Sequence, residues 1–118
     1  MHFEVEFYET EDGYSPVEEF LGTLEPKVHA KILSLMELLE KNGNRLRKPY
    51  SEHIDDKIFE LRCQQGGNIY RVMYFFCCRG KIIMTNGFVK KTQKTPKSVI
   101  ALANRYRKDY LRQLGESE

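Results

Sequence analysis

Ile58-Phe-Glu-Leu-Arg-Cys63, Ile69-Tyr-Arg-Val-Met-Tyr-Phe-Phe-Cys-Cys78 and Lys81-Ile-Ile-Met-Thr-Asn-Gly-Phe88 follow one another closely, and their reading decides the fold. Each run is rich in β-branched and aromatic residues, the side chains that suit a pleated, half-buried surface. Gln64-Gln-Gly-Gly-Asn68 and Arg79-Gly80 punctuate them with turn chemistry. Strands joined by such short turns predict an antiparallel meander. Two arginines, Arg62 and Arg71, stand inside these apolar runs. Alternation puts Phe59, Leu61 and Cys63 on one face, and Ile58, Glu60 and Arg62 on the other. In the neighbouring strand Val72, Tyr74 and Phe76 oppose Arg71, Met73 and Phe75. If Phe59 and Leu61 face the helices together with Val72 and Tyr74, Arg62 and Arg71 share the open face, where their planar forked donors suit one phosphate. A second reading stays open: Arg62 pairs with Glu60 or another carboxylate as a structural ion pair, and Arg71 is held in the same way.

The last strand leaves through Asn86-Gly-Phe-Val-Lys-Lys-Thr-Gln-Lys-Thr-Pro96. Lys90, Lys91 and Lys94 on this exit reach back over the sheet, and Phe88 offers a ring for base stacking or, alternatively, a core contact. Upstream, Arg45, Arg47 and Lys48 add cations to a segment, 44–57, read as a loop. Residues 1–40 carry a net charge of −8, residues 41–89 +5 and residues 90–112 +7, although the whole chain is only +2. Charge so polarised predicts an anionic partner, and the arginine and lysine clusters point to nucleic acid.

Outward from the meander, His2 to Tyr8 alternates Phe3, Val5 and Phe7 with Glu4 and Glu6, the pattern of a strand with one solvated face. Ser15-Pro-Val-Glu18 opens a short helix with an N-cap and a proline at its first position. Val28, Ile32, Leu35, Met36 and Leu39 stripe a second helix that starts near Pro26 and ends at Asn42-Gly43. Thr95 caps a final helix whose inner face is Val99, Ala103, Tyr106 and Tyr110. The predicted order is β-α-α-β-β-β-α, an α+β fold with its helices packed on one face of an antiparallel sheet and the other face open.

A chain of 118 residues, 41% hydrophobic and 31% charged, predicts a single soluble domain over residues 1–118. No apolar run approaches the ~20 residues of a membrane span. Met1-His-Phe-Glu-Val-Glu6 has neither the basic flank nor the apolar core of a secretory signal, so the expectation is a cytoplasmic protein. Cys63, Cys77 and Cys78 have no zinc-site spacing with the histidines, and no metal or cofactor is expected. Cys77 and Cys78, read as adjacent strand residues, point to opposite faces and make a poor disulfide pair.

Glu60-Leu-Arg62, Tyr70-Arg-Val-Met-Tyr74 and the Phe88-to-Pro96 string, followed by Ala101, Ala103 and Arg105, resemble the HigB-like branch of the RelE/ParE toxin superfamily. The resemblance runs from the first strand to the last helix. It departs at Lys57, preceded by Asp55-Asp56, where the family carries a glycine turn. It implies the toxin of a type II toxin–antitoxin system: a RelE-like sheet cradling mRNA, usually in the ribosome, and cutting it without metal. The RNA 2′-hydroxyl attacks its own phosphate and leaves a cyclic phosphate and a 5′-hydroxyl. Such chemistry needs cations at the phosphate, a base and an acid. Arg62 and Arg71 suit the first role. Lys90 or Lys91 suits the base, with His53 the alternative acid–base group. Arg45, Arg47, Lys48, Phe88 and Lys94 are the expected RNA contacts. The implied partner is a helix-turn-helix antitoxin, with operator DNA reached only through it. Two other classes compete: a non-nuclease toxin such as a gyrase inhibitor, and a catalytically decayed module that binds RNA and antitoxin.

Overall fold

The computed structural model describes residues 2–90 and 94–115. The chain runs β1 (Glu4–Phe7), α1 (Pro16–Gly22), α2 (Pro26–Asn42), β2 (Ser51–Asp55), β3 (Ile58–Gln65), β4 (Asn68–Phe76), β5 (Lys81–Lys90) and α3 (Lys97–Gln113). Among these residues no helix is long and apolar enough to cross a membrane.

The expected meander is β3–β4–β5, each pair antiparallel. The α+β class holds, with three differences. β1 joins the sheet parallel to β5, Val5 opposite Ile82. The sheet order is β1-β5-β4-β3-β2. α1 and α2 carry the chain from β1 to β2 at the opposite edge of the sheet, and the antiparallel strands that follow bring it back to β5 beside β1. The segment read as a loop contains β2, paired with β3 around a turn at Asp56-Lys57. Ser51-Glu-His-Ile-Asp55 lacks an apolar alternation because it is an edge strand. Its one fully buried side chain, Ser51, is satisfied by a 2.5 Å hydrogen bond with the Tyr74 hydroxyl.

The third difference concerns the faces. Val17, Leu21, Val28, Ile32, Met36 and Leu39 of α1 and α2 pack on Leu61, Cys63, Val72, Tyr74, Ile82 and Met84. Ala103, Tyr110 and Leu111 of α3 pack on Ile58, Met73, Phe75 and Ile83. Helices thus cover both faces, and the expected helix-free side is occupied. The physical reason is the second apolar set: Met73, Phe75 and Ile83 need burial as much as the first.

Local signals hold where they are chemical. Ser15 Oγ accepts from Glu18 N–H at 3.1 Å, capping α1 at Pro16. Gly43 follows α2 with φ 54°, and a Cβ there would collide with the Phe3 ring. The α3 inner face is as expected, with Val99 and Tyr106 against buried Ala103 and Tyr110. Its N-cap is Pro96, not Thr95. A bulge in β5 at Thr85 changes strand parity, because Met73 pairs with Asn86 while Tyr74 pairs with Met84. Beyond it Gly87 turns to Phe20 of α1 and Phe88 turns to the α3 side.

Candidate functional site

Arg62 and Arg71 are directly opposed in the β3–β4 register, so the expectation that they share a face is met. Their environments differ sharply. Arg71 is fully buried. Its guanidinium carbon lies 5.7 Å from the centre of the Phe88 ring. Arg71 Nη1 donates to Thr95 Oγ1 at 2.9 Å and lies 3.8 Å from Glu60 Oε1. Thr95 in turn donates to Glu60 Oε1. Glu60 is fully buried too, and an isolated buried charge is costly, so the pair compensates itself. This use of the Thr95 hydroxyl explains why it does not cap α3.

Arg62 carries the network to the surface. Its Nε donates to Glu60 Oε2 at 2.5 Å, and its Nη2 pairs with Glu52 across on β2. About a fifth of the side chain is exposed, at 20%. The alternative reading of Arg62 as the partner of Glu60 is therefore the observed one, with Glu52 added. Glu52, Glu60 and Thr95 are the residues sequence reasoning missed as a group. Glu60 and Arg62 two apart on one strand face were the available signal; Glu52 was hidden in the supposed loop.

Above this network lies a groove of about 460 Å³ lined by Lys48, Glu52, Arg62, Lys94, Thr95 and Ile100, with His53 and Ile54 at the β2 edge. Lys48 is 70% exposed and 3.5 Å from Glu52. Lys94 is exposed on the segment that Thr95 anchors. Among the groove's described side chains, three fixed cations outnumber one carboxylate. A flexible anionic chain is the ligand such a lining attracts.

The other expected residues are placed as follows. His53 sits opposite Phe59, and the two rings stack at 4.6 Å. Phe59 belongs to the α1–α2 side, so the imidazole lies across the sheet from Arg62 and Arg71 rather than beside them. Its Nε2 is 2.9 Å from the Asp56 carbonyl oxygen. It lines a second cavity of about 630 Å³ with Arg47, Lys48, Ser51 and Phe59. Arg47 Nη1 donates to the Asn44 carbonyl at 2.5 Å, and Arg45 is exposed beside it. Phe88 is half-buried against the α3 core, so the core-contact alternative describes it. Lys90 is exposed at the end of β5, opposite Ile69. Lys91 lies outside the described residues. Burial pushes the Tyr74 phenol up to about 12, with the Ser51 hydrogen bond acting the other way, so it stays a neutral core group.

The family model described as phage derived protein Gp49-like (DUF891) matches residues 19–108, well over half the chain and all of the network from Glu52 to Thr95. No curated protein matches the chain.

Proposed function

The chain belongs to the Gp49-like family of phage-derived proteins, which is associated with toxins of toxin–antitoxin systems, and from that premise we propose that it is a toxin of the HigB-like type that cuts mRNA. The observation that supports this reading is the groove: Arg62 at its floor, Lys48 and Lys94 on its walls, and a buried Glu60–Thr95–Arg71 network beneath. RNA lies along the lysines, and Arg62 meets the scissile phosphate. The 2′-oxygen attacks phosphorus, the 5′-oxygen leaves, and a cyclic phosphate and a 5′-hydroxyl result. Charge that builds on the phosphoryl oxygens is met by the Arg62 guanidinium. Arg71, sealed under Phe88, acts indirectly by fixing Glu60 and Thr95, and through them Arg62 and Lys94. The proton transfers fall to Lys90 or Lys91 on the adjoining exit, with His53 the alternative across the β2 edge.

In this reading the protein works in the cytoplasm on ribosome-bound messages. A helix-turn-helix antitoxin restrains it by covering the basic groove with acidic side chains, and operator DNA is met through that antitoxin. The test adds purified protein to a translation reaction and maps message ends by primer extension, wild type beside Arg62→Ala. New ends inside codons, absent with the variant, are expected. Intact messages at protein levels that stop growth would sink the reading.

One observation favours a second reading. Both arginines are held by carboxylates, Arg62 by Glu52 and Glu60, and Arg71 by Glu60. A toxin that inhibits a target such as DNA gyrase by binding, or a module that binds without turnover, needs no exposed guanidinium pair. Growth arrest with intact messages and a blocked gyrase supercoiling assay supports the gyrase version.

A further inference from the structure

The turn from β4 to β5 brings two thiols together. Cys77 Sγ and Cys78 Sγ are 3.5 Å apart. Adjacent strand residues point to opposite faces, which is what the sequence predicts for this pair. The strand, however, ends at Phe76. Cys78 opens a single 3-10 turn, Cys78–Gly80, and this rotates its side chain back toward that of Cys77. The turn is closed by Cys77 N–H donating to the Lys81 carbonyl at 2.8 Å. Arg79 at φ 58° and Gly80 at φ 73° hold the left-handed conformations that the tight reversal needs. Cys78 is exposed and Cys77 half-exposed, whereas Cys63 is buried in the core.

We propose that Cys77 and Cys78 form an oxidisable vicinal dithiol, a reversible modification site at the β4–β5 turn for peroxide-class oxidants. One sulfur attacks a peroxide oxygen, the O–O bond breaks, and a sulfenic acid and one water form. The second sulfur displaces the hydroxyl group as a second water, and the S–S bond closes. The two sulfurs lose two electrons, the peroxide gains them, and both thiol protons end in water.

Geometry makes this bond a switch and not a staple. Neighbouring Cα atoms are about 3.8 Å apart, less than the roughly 4.4–6.8 Å usual across a disulfide. The eight-membered ring is therefore strained, and strained, exposed disulfides are the readily reduced ones. Closure must draw the sulfurs from 3.5 Å to about 2.05 Å. The site stands apart from the groove and from the nucleic-acid reading.

The test treats the reduced full chain with one equivalent of hydrogen peroxide, alkylates it in denaturant and digests it with trypsin. Cleavage after Arg62, Arg71 and Arg79 puts both thiols in peptide 72–79 and Cys63 in peptide 63–71. The expected product is peptide 72–79 two hydrogens lighter and unalkylated, restored to double alkylation by dithiothreitol, with peptide 63–71 alkylated throughout. In Cys78→Ser, which changes an exposed side chain, the light peptide is absent. Wild-type protein incubated first with phenylarsine oxide, a reagent that bridges paired thiols, is protected from alkylation at both positions. Double alkylation of peptide 72–79 after peroxide, a link from it to peptide 63–71, or a link between two chains overturns the proposal.

Discussion

Glu60 and Arg71, both fully buried, are joined through one hydroxyl: Thr95 Oγ1 accepts from Arg71 Nη1 at 2.9 Å and donates to Glu60 Oε1. This link ties β3, β4 and the segment leading into α3 at a single point beneath the groove. Removing the carboxylate charge beside a buried guanidinium costs about 3–5 kcal/mol. Glu60→Gln is therefore expected to lower the melting temperature by roughly 10–20 °C for a domain of this size. Thr95→Val should cost about 1–3 kcal/mol, since it strips a partner from two buried groups, and Thr95→Ser should restore most of it. Chemical denaturation of the three variants checks the order; a Glu60→Gln variant as stable as wild type would contradict the network's role.

Arg62 is the network member that meets solvent. Its truncation takes the Nε donor from buried Glu60, at a cost in stability of about 1–3 kcal/mol, and removes charge stabilisation at the phosphate. A loss of about 10²-fold or more in message cleavage is expected for Arg62→Ala, the scale seen when one transition-state donor is removed. Glu52→Gln should act the other way on binding, because it releases one of the carboxylates that hold Arg62. Titration of both variants with a short RNA tests the pair. Equal RNA affinity in Glu52→Gln and wild type would show that the ion pair does not compete with phosphate.

Lys48, Arg62 and Lys94 line one groove. Three phosphate contacts on a single strand predict a slope of about −2 in log affinity against log salt, from roughly −0.7 per contact. Lys94→Ala should reduce the slope by about 0.7 and weaken binding evenly across RNA sequences. Fluorescence anisotropy at several salt concentrations measures it, and an unchanged slope removes Lys94 from the interface.

Asp109 sets an acid limit on stability. The Tyr8 hydroxyl donates to it at 2.5 Å and Gln113 Nε2 at 2.8 Å, and Arg112 pairs with its other oxygen. These bonds, that of Tyr8 first, hold the carboxyl down to about 2. In the unfolded chain it titrates near ~3.9. The folded pKa is the lower one, so its contribution is complete above about pH 4 and is lost as the pH falls toward 2. Asp109→Asn should flatten the stability profile across that window, as measured by urea denaturation at several pH values. Parallel wild-type and variant profiles would refute it.

Gly87 lies where α1 presses on β5. A Cβ there would meet the Phe20 ring 2.5 Å away. Gly87→Ala is expected to cost about 1–3 kcal/mol by overpacking. Phe20→Leu in the same chain should recover part of it, giving a coupling energy that a double-mutant cycle reads directly. Additive effects would mean that the ring moves aside freely.

Legibility followed the physics of each element. The α2 stripe and strands β3, β4 and β5 bury many side chains along a regular period, so burial is written into their residue order. β2 buries one serine and is held by ladder hydrogen bonds, which any residue type can make. The bulge at Thr85 escaped notice for the same reason: an extra residue in a ladder has no compositional mark. At the candidate site, alternation placed Arg62 and Arg71 on one face, and this held. It could not place Glu52 on that face, because the segment that holds Glu52 has no apolar alternation and reads as a loop.

Composition and periodicity by themselves determined an α+β domain with an antiparallel meander, two arginines on a common face and a lysine-rich exit, because local order dictates which side of a strand or helix each residue occupies. Only the tertiary structure decided what covers that face. α3 folds over it, Phe88 and Thr95 close above Arg71, and Arg62 alone of the two reaches a groove. Burial of a charge depends on which distant segments arrive beside it, and a carboxylate must arrive with them.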